Sequence, residues 1–218
     1  MSSSSPTGRS RLRAALAAVA FLPALAPSPA PSGSLPVVAA LSGGGETALV
    51  VRKGGIREKA FAVPKTRFLL LLGYEHQRPG LLKSEYRHLM DEIPGLTDDG
   101  PLRFTSFAEV AGAYEVSEAE ELAALDSHHM WTPEYAESRF RWRPRKPLTV
   151  LVLRTYLLPE MVELHHVDEY GGCKSWIELQ EDVSVEGAGP ALRDEDFDRL
   201  VAPALGMLRR LDPAPVSA

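Results

Sequence analysis

The run LTVLVLRTYLL, residues 148–158, decides the fold of this chain. Its apolar side chains fall on both faces of an extended backbone, and Arg154 is the main interruption. It is the strongest strand signal in the sequence, and it predicts a domain built around a β-sheet.

Shorter strands are predicted on both sides of this run. Residues 68–72, FLLLL, are also apolar on both faces, so a central and buried position is predicted for them. The glycines of SGGGE, residues 42–46, supply the positive φ angles that a hairpin turn between two short strands requires. The remaining predicted strands cover residues 35–41, 47–51, 104–116 and 175–180.

Helices are predicted where a start signal precedes an apolar stripe. The segment SEAE, residues 117–120, has the spacing of a capping box and opens a helix that turns Leu122 and Leu125 inward. Thr132 before Pro133 is a hydroxyl cap followed by a first-turn proline, and it opens a helix over residues 134–140. Two further helices are predicted over residues 81–93 and 194–211.

Short strands joined by hairpins or helices, without regular βαβ repetition, predict an α+β domain. We expect a twisted, mostly antiparallel sheet or a partly open small barrel with two to three flanking helices. The folded domain is predicted over residues 35–180. A linker and a C-terminal amphipathic helix follow within residues 181–218, and this helix is a candidate surface for homo-oligomer formation.

Residues 1–34 differ from the rest of the chain. Three arginines precede an apolar run at residues 14–26, and a Pro/Ser/Ala stretch follows. This order is typical of a secretory signal, and the alternative is a disordered extension; either would lie outside the fold. Because the run is shorter than the roughly 20 residues that cross a bilayer, no membrane span is expected. The protein is predicted to be cytoplasmic, or exported if the signal is real.

Composition excludes several classes of protein. The net charge of −5 argues against a generic nucleic-acid coat, which would be basic overall. A local basic patch can still hold phosphate, because salt screens distant charges beyond about 10 Å at 0.1 M. The single cysteine excludes an internal disulfide framework and a multi-cysteine zinc site.

A basic glycine corner follows the strand at residues 47–51. Gly54 and Gly55 let the backbone approach a ligand closely, and successive amides in such a turn can form an anion-binding nest. Arg52, Lys53 and Arg57 would add charge-assisted hydrogen bonds to a phosphate or carboxylate. The alternative is a tight turn with solvated charges, in which Glu58 pairs with a neighbouring cation.

A second glycine-containing turn is predicted to face the ligand. Gly171 and Gly172 precede Cys173, whose thiol pKa a neighbouring Lys174 would lower, so Cys173 is a candidate nucleophile. The alternative is a buried cysteine, with Lys174 and Trp176 as the functional pair. A third basic run, RFRWRPRK at residues 139–146, interleaves arginines with aromatic residues, as single-strand binding surfaces do; the alternative is a loop with solvated arginines.

Glutamate and histidine side chains supply the candidates for catalysis. Glu75 and His76 come directly after a buried strand and could form an acid–base pair or bind a divalent metal together with His129. Against this, adjacent residues of an extended segment point to opposite faces, and a histidine at a helix C-terminus also simply complements the helix dipole. Glu58 completes the candidate set.

Four ordered segments resemble one family. They are RKGGIRE at 52–58, YEHQ at 74–77, HMWT at 129–132 and YGGCKSW at 170–176. The chain resembles the uncharacterised prokaryotic family known as domain of unknown function 1802 over about residues 47–179. The resemblance implies little about function, because that family has no established activity. This chain departs from the family at the front, where an Ala/Pro segment replaces a short charged and aromatic stretch.

Three functions are consistent with these residues. The first is a binding module for a phosphate-bearing ligand, a nucleic acid or nucleotide, with Arg141 and Arg143 as further contacts and Trp131 or Trp176 available to stack. The second is a metal-assisted hydrolase or nuclease that uses Glu58, Glu75, His76 and His129. The third is a structural or adaptor domain. The sequence does not decide whether the protein is an enzyme.

Overall fold

The computed structural model describes residues 11–12, 16–19, 46–53, 65–71, 79–90, 100–142, 144–170, 176–209, 211–214 and 216. Its strands are β1 Arg11–Leu12, β2 Leu16–Val19, β3 Leu49–Arg52, β4 Arg67–Leu71, β5 Leu102–Val116, β6 Leu148–Leu164, β7 Trp176–Glu178, β8 Val183–Ser184, β9 Gly189–Pro190 and β10 Asp212–Pro213. Its α-helices are α1 Ala119–Ala124, α2 Pro133–Arg141 and α3 Asp194–Leu208.

One mostly antiparallel sheet carries the fold. Its strand order is β3-β6-β5-β4-β2-β7, β10 adds to β5, and β9 adds to β6. The two longest strands, β5 and β6, pair antiparallel along most of their length, with register shifts after Phe104 and Val110. Within the described residues the end strands β3 and β7 do not pair with each other, so the sheet stays open. The predicted α+β class and the mostly antiparallel sheet are confirmed.

Two apolar clusters cover the two faces of the sheet. Phe68 and Leu70 of β4 belong to the cluster that contains the helices, whereas Leu69 and Leu71 belong to a second cluster with Phe107 and the C-terminal short strands. Alternate residues of a strand point to opposite faces, so β4 is buried on both sides. This explains why residues 68–72 carry no polar side chain.

The helices α1 and α2 lie in the connection between β5 and β6. Leu122 and Leu125 are buried, as predicted. The capping box lies one residue later than predicted, because the Glu121 carboxylate accepts hydrogen bonds from the amides of Ser117 and Glu118. Thr132 caps α2 as predicted, since its Oγ1 accepts a hydrogen bond from the Tyr135 amide at 3.3 Å.

The helix predicted over residues 81–93 is observed, where the structure describes it, as 3-10 helix and not as α-helix. Residues 79–81 and 84–90 form 3-10 helices, and Leu82 between them makes an isolated antiparallel bridge with Trp131. The Lys83 amide donates to the Met130 carbonyl, and the Thr132 amide donates to the Leu81 carbonyl. In an α-helix that starts at residue 81, the Leu81 carbonyl would accept from the Glu85 amide, but here it accepts from the Thr132 amide.

The N-terminal segment contributes to the sheet. The strand β2 lies between β4 and β7, parallel to β4 and antiparallel to β7. The sequence predicts residues 1–34 outside the fold, and the position of residues 16–19 differs from that expectation. The physical reason is that β4 and β7 each present an unpaired edge that a short apolar segment can satisfy.

The C-terminal helix α3 packs on the same chain. Phe197, Val201, Ala204 and Leu208 are buried in the helix-bearing cluster. The amphipathic stripe is therefore used within the domain, which leaves the predicted homo-oligomer contact through this face without support. Among the described residues, no helix is long and apolar enough to cross a membrane. Of the hairpin predicted over residues 35–51, the first strand and most of the turn lie outside the described residues, and the second strand is observed as β3.

Candidate anion-binding corner

Two cations of the predicted corner are deeply buried at the end of β3. Arg52 is 4% exposed and Lys53 is 0% exposed. The strand pairs with β6, where Arg52 lies opposite Thr149, and all of its residues are buried. Because both faces of β3 are covered, the charges at its end do not reach bulk solvent. A tight turn with solvated charges, the alternative reading of this corner, is wrong for these two residues.

Lys53 contacts the C-terminal end of α2. Its Nζ donates a hydrogen bond to the Phe140 carbonyl at 2.6 Å and lies 5.5 Å from the centre of the Phe140 ring. Carbonyls in the last turn of a helix lack intrahelical partners and carry partial negative charge. A lysine ammonium suits that position, and one contact leaves two of its three donors for other groups.

Arg139 brings a third buried cation to the same corner. It is 5% exposed, and its guanidinium carbon lies 4.5 Å from the centre of the Trp142 ring. Arg139 belongs to α2, so its charge comes from a part of the chain remote from β3. Ala136 is buried one turn earlier on the same helix, which places Arg139 on the inward face.

Electrostatic effects show that Arg139 acts on Lys53 and that Arg139 and Arg52 both act on Tyr135. Burial, together with the charge of Arg139, lowers the pKa of Lys53 to about 8. Burial raises the pKa of the Tyr135 hydroxyl to about 12, against the pull of Arg139 and Arg52. Burial also lowers the pKa of Arg139. The corner therefore concentrates positive charge in a place with little water, where an anion would interact strongly.

His129 lies elsewhere, between α1 and α2. It is 2% exposed, and burial together with the charge of Lys83 lowers its pKa to about 4. The imidazole is therefore neutral at pH 7. The Lys83 ammonium donates to the His129 carbonyl at 2.9 Å, and its Nζ lies 3.5 Å from Asp126 Oδ2. His129 thus belongs to a buried network with Lys83 and Asp126.

The predicted stacking residues are occupied within the core. Trp131 is buried, and its ring centre lies 5.1 Å from that of Tyr135. The half-buried Trp176 meets Phe68 edge to face at 4.9 Å. In the basic run, Arg139 is not solvated, whereas Arg141 is exposed and pairs with Glu137 on the same helix. Trp131 therefore has almost no exposed ring surface on which a base could stack.

Most of the other predicted site residues lie outside the described residues. These are Gly54, Gly55, Arg57, Glu58, Glu75, His76, Arg143, Gly171, Gly172, Cys173 and Lys174. Their roles stay predictions, and so does a site that brings all of them together. Within the described part of the chain, no group of three or more His, Cys, Asp or Glu side chains is placed to hold a metal ion.

Two residues of these sites were not singled out in the sequence. Arg139 carries a detectable signal, because it follows Tyr135 and Ala136 at the spacing of one helix face. That spacing turns it inward, although its charge favours the surface. Lys83 carries no comparable signal, because its partners Asp126 and His129 are remote in sequence and only the bridge between Leu82 and Trp131 brings them near.

Comparison with known proteins identifies one family. No curated protein and no solved structure matches the chain. A family model described as "Domain of unknown function (DUF1802)" matches residues 35–203, which is most of the chain. The match includes the predicted glycine corner, the buried cations at the end of β3 and the helices α1 and α2. The chain belongs to the family described as domain of unknown function, DUF1802.

Proposed function

We propose that the protein is a binding module for a phosphate-bearing ligand, a nucleotide or a nucleic acid, and that it binds this ligand at the corner formed by β3 and α2. The observation that supports the proposal is the burial of three cations at one corner, where Arg139 acts on Lys53 and, together with Arg52, on Tyr135. A phosphate bound there would interact strongly with these cations, because little water screens the charges.

Lys53 gives the proposal its specific chemistry. Among the residues that the structure describes, its ammonium contacts a carbonyl and an aromatic ring and no carboxylate. Guanidinium and ammonium groups form charge-assisted hydrogen bonds to phosphate that are stronger than neutral ones. The glycines that follow Lys53 in the sequence would let backbone amides join these contacts. Such a ligand would be consistent with a cytoplasmic protein.

The experiment measures binding of fluorescent ATP and of a labelled mixed-sequence single-stranded oligonucleotide to the full chain. We expect saturable binding that weakens steeply as salt rises from about 50 to 200 mM. Lys53→Met should weaken it by about tenfold or more, because a charged hydrogen-bond donor is lost. Absence of binding to both probes, or binding that ignores salt, would contradict the proposal.

The matched control is Lys65→Met, the same change at an exposed lysine before β4. It removes one unit of charge without touching the corner, so binding should change little. Lys53→Met should also keep its fold, because replacing a buried charge by an apolar side chain of similar volume is often neutral for stability. Equal losses of affinity in the two variants would mean that overall charge, and not the corner, attracts the ligand.

A further inference from the structure

A groove of about 440 Å³ lies between α1 and α2, and Lys53 is not among its lining residues. Its walls are mainly apolar and include Leu122, Ala123, Pro133, Ala136 and Phe140. Pockets for small organic molecules have volumes of about 300–1,000 Å³ and mostly apolar linings with a few polar groups. In size and lining the groove therefore suits a small molecule.

His129 is one of the polar residues that line this groove, and its side chain is almost fully buried. Within the described residues neither ring nitrogen makes a hydrogen bond of good geometry, although nearby backbone carbonyls and Asp126 act on its charge. A buried polar atom without a hydrogen bond costs free energy, so a ligand that supplies a partner would gain from it.

The charges around the groove indicate the sign of that ligand. Three lining carboxylates, Glu120, Asp126 and Glu137, contribute −3. Lys83 pairs with Asp126, and Arg141 pairs with Glu137, which together contribute +2. The sum is −1, and Glu120 has no ion pair within the described part of the chain. One positive charge would balance the groove, and an anion would be repelled.

We propose that this groove binds a primary amine that carries a compact apolar body. Asp126 Oδ1 and His129 Nε2 lie 4.0 Å apart, too far for a hydrogen bond to each other. If an ammonium nitrogen lay about 2.9 Å from both atoms, the angle at the nitrogen between its two contacts would be roughly 90°. With its ring proton on Nδ1, His129 would accept a hydrogen bond through Nε2, and Asp126 Oδ1 would accept another. The third N–H of the ammonium would face the groove. The apolar body would cover Leu122 and Ala136.

The test compares three molecules of one shape and different head groups. We would titrate 2-phenylethylamine, 2-phenylethanol and 3-phenylpropionate into the full chain, with calorimetry and the NMR signals of the His129 ring as readouts. The amine should bind at least about tenfold more tightly than the alcohol, because a charge-assisted hydrogen bond replaces a neutral one. The carboxylate should bind most weakly.

Two phenylalanine substitutions in α1 locate the site. Ala123 lines the groove, whereas the neighbouring Ala124 does not, and both side chains are exposed. Ala123→Phe should abolish amine binding by filling the groove, and Ala124→Phe should leave it unchanged. The proposal is overturned if no probe binds the wild type, if the carboxylate binds best, or if amine binding survives Ala123→Phe. Because neither variant changes Arg52, Lys53 or Arg139, the phosphate assay tests the proposed function separately.

Discussion

The two ends of α2 bury opposite kinds of polar group. At its C-terminal end Lys53 donates to the Phe140 carbonyl beside the buried Arg139. Before its N-terminal end lies His129, which is neutral. The negative end of a helix dipole favours cations, so lysine and arginine are tolerated where α2 ends. His129 does not lie at the negative end of α2. It lies near the Lys83 ammonium, whose charge disfavours protonation of the ring.

This difference shows what burial does when the local partners differ. Burial lowers the pKa of both Lys53 and His129. The pKa of Lys53 falls from 10.5 to about 8, so Lys53 still keeps its proton at pH 7. The pKa of His129 falls from 6.5 to about 4, so His129 is neutral at that pH. The same desolvation therefore leaves a cation at one end and a neutral acceptor at the other. The two proposed ligands, a phosphate and an ammonium, follow from these two charge states.

The largest effect is expected at the His129 end of α2, where lowering the pH should reduce the stability of the fold. A folded-state pKa of about 4 against 6.5 for an unfolded histidine means that the unfolded chain binds more protons between these values. The contribution of the neutral ring is fully present above pH 6.5 and is lost as the pH falls toward 4. It amounts to about 3 kcal/mol of unfolding free energy. Urea denaturation from pH 7 to 4 measures it.

His129→Leu is the variant that isolates this contribution. Carboxylates also titrate below pH 5, so the wild type will lose stability for more than one reason. The variant should lose about 3 kcal/mol less than the wild type across the range, while His165→Leu, at an exposed histidine, should follow the wild type. Parallel curves for His129→Leu and the wild type would show that His129 is accessible to protons in the folded state.

The next largest effect is expected at the Lys53 end of α2, where raising the pH should reduce the affinity for the phosphate ligand. A bound phosphate favours the charged ammonium, so it raises the pKa of Lys53 above its free value of about 8. Below pH 8 Lys53 of the free protein already carries its proton, so the affinity should not change with pH. Above pH 8 binding requires proton uptake, so affinity should fall by up to about tenfold per pH unit.

The control for the alkaline titration is Lys53→Met, which should bind weakly at every pH and show no fall above pH 8. Oligonucleotide anisotropy at constant ionic strength measures both proteins. A wild-type affinity that stays constant to pH 10 would place Lys53 outside the ligand's reach. In that case its ammonium would serve only the carbonyl of Phe140.

The sequence predicted the sheet better than it predicted the site. The strands β4, β5 and β6 are predicted because their apolar residues recur over many positions, and the cap of α2 is predicted because Thr132 and Pro133 act locally. The 3-10 form of the helix predicted over residues 81–93 could not be predicted, because the bridge from Leu82 to Trp131 comes from a distant segment. Local periodicity carries no information about such a pairing.

The site could be predicted only in part, for the same reason. Arg52 and Lys53 were predicted as anion contacts from the glycines that follow them, and the structure shows that both are buried. The contribution of Arg139 depends on how α2 packs against β3, which no local pattern records. His129 was left open between a ligand-binding and a dipole-complementing role, because its ionisation depends on Lys83, a residue remote in sequence.

The smallest effect is expected from a substitution that weakens only the N-terminal end of α2. Thr132→Ala removes the hydroxyl that accepts from the Tyr135 amide, and loss of an N-cap typically costs about 1 kcal/mol. Chemical denaturation should show this loss, whereas Ser138→Ala, at an exposed serine of the same helix, should change stability by less than about 0.5 kcal/mol. Because the cap adjoins Pro133 of the groove and lies about two helical turns before the Phe140 carbonyl that Lys53 contacts, 2-phenylethylamine binding should weaken while phosphate binding persists. A fall in both would mean that the two ends of α2 move together, and that its ligands would be coupled through the helix.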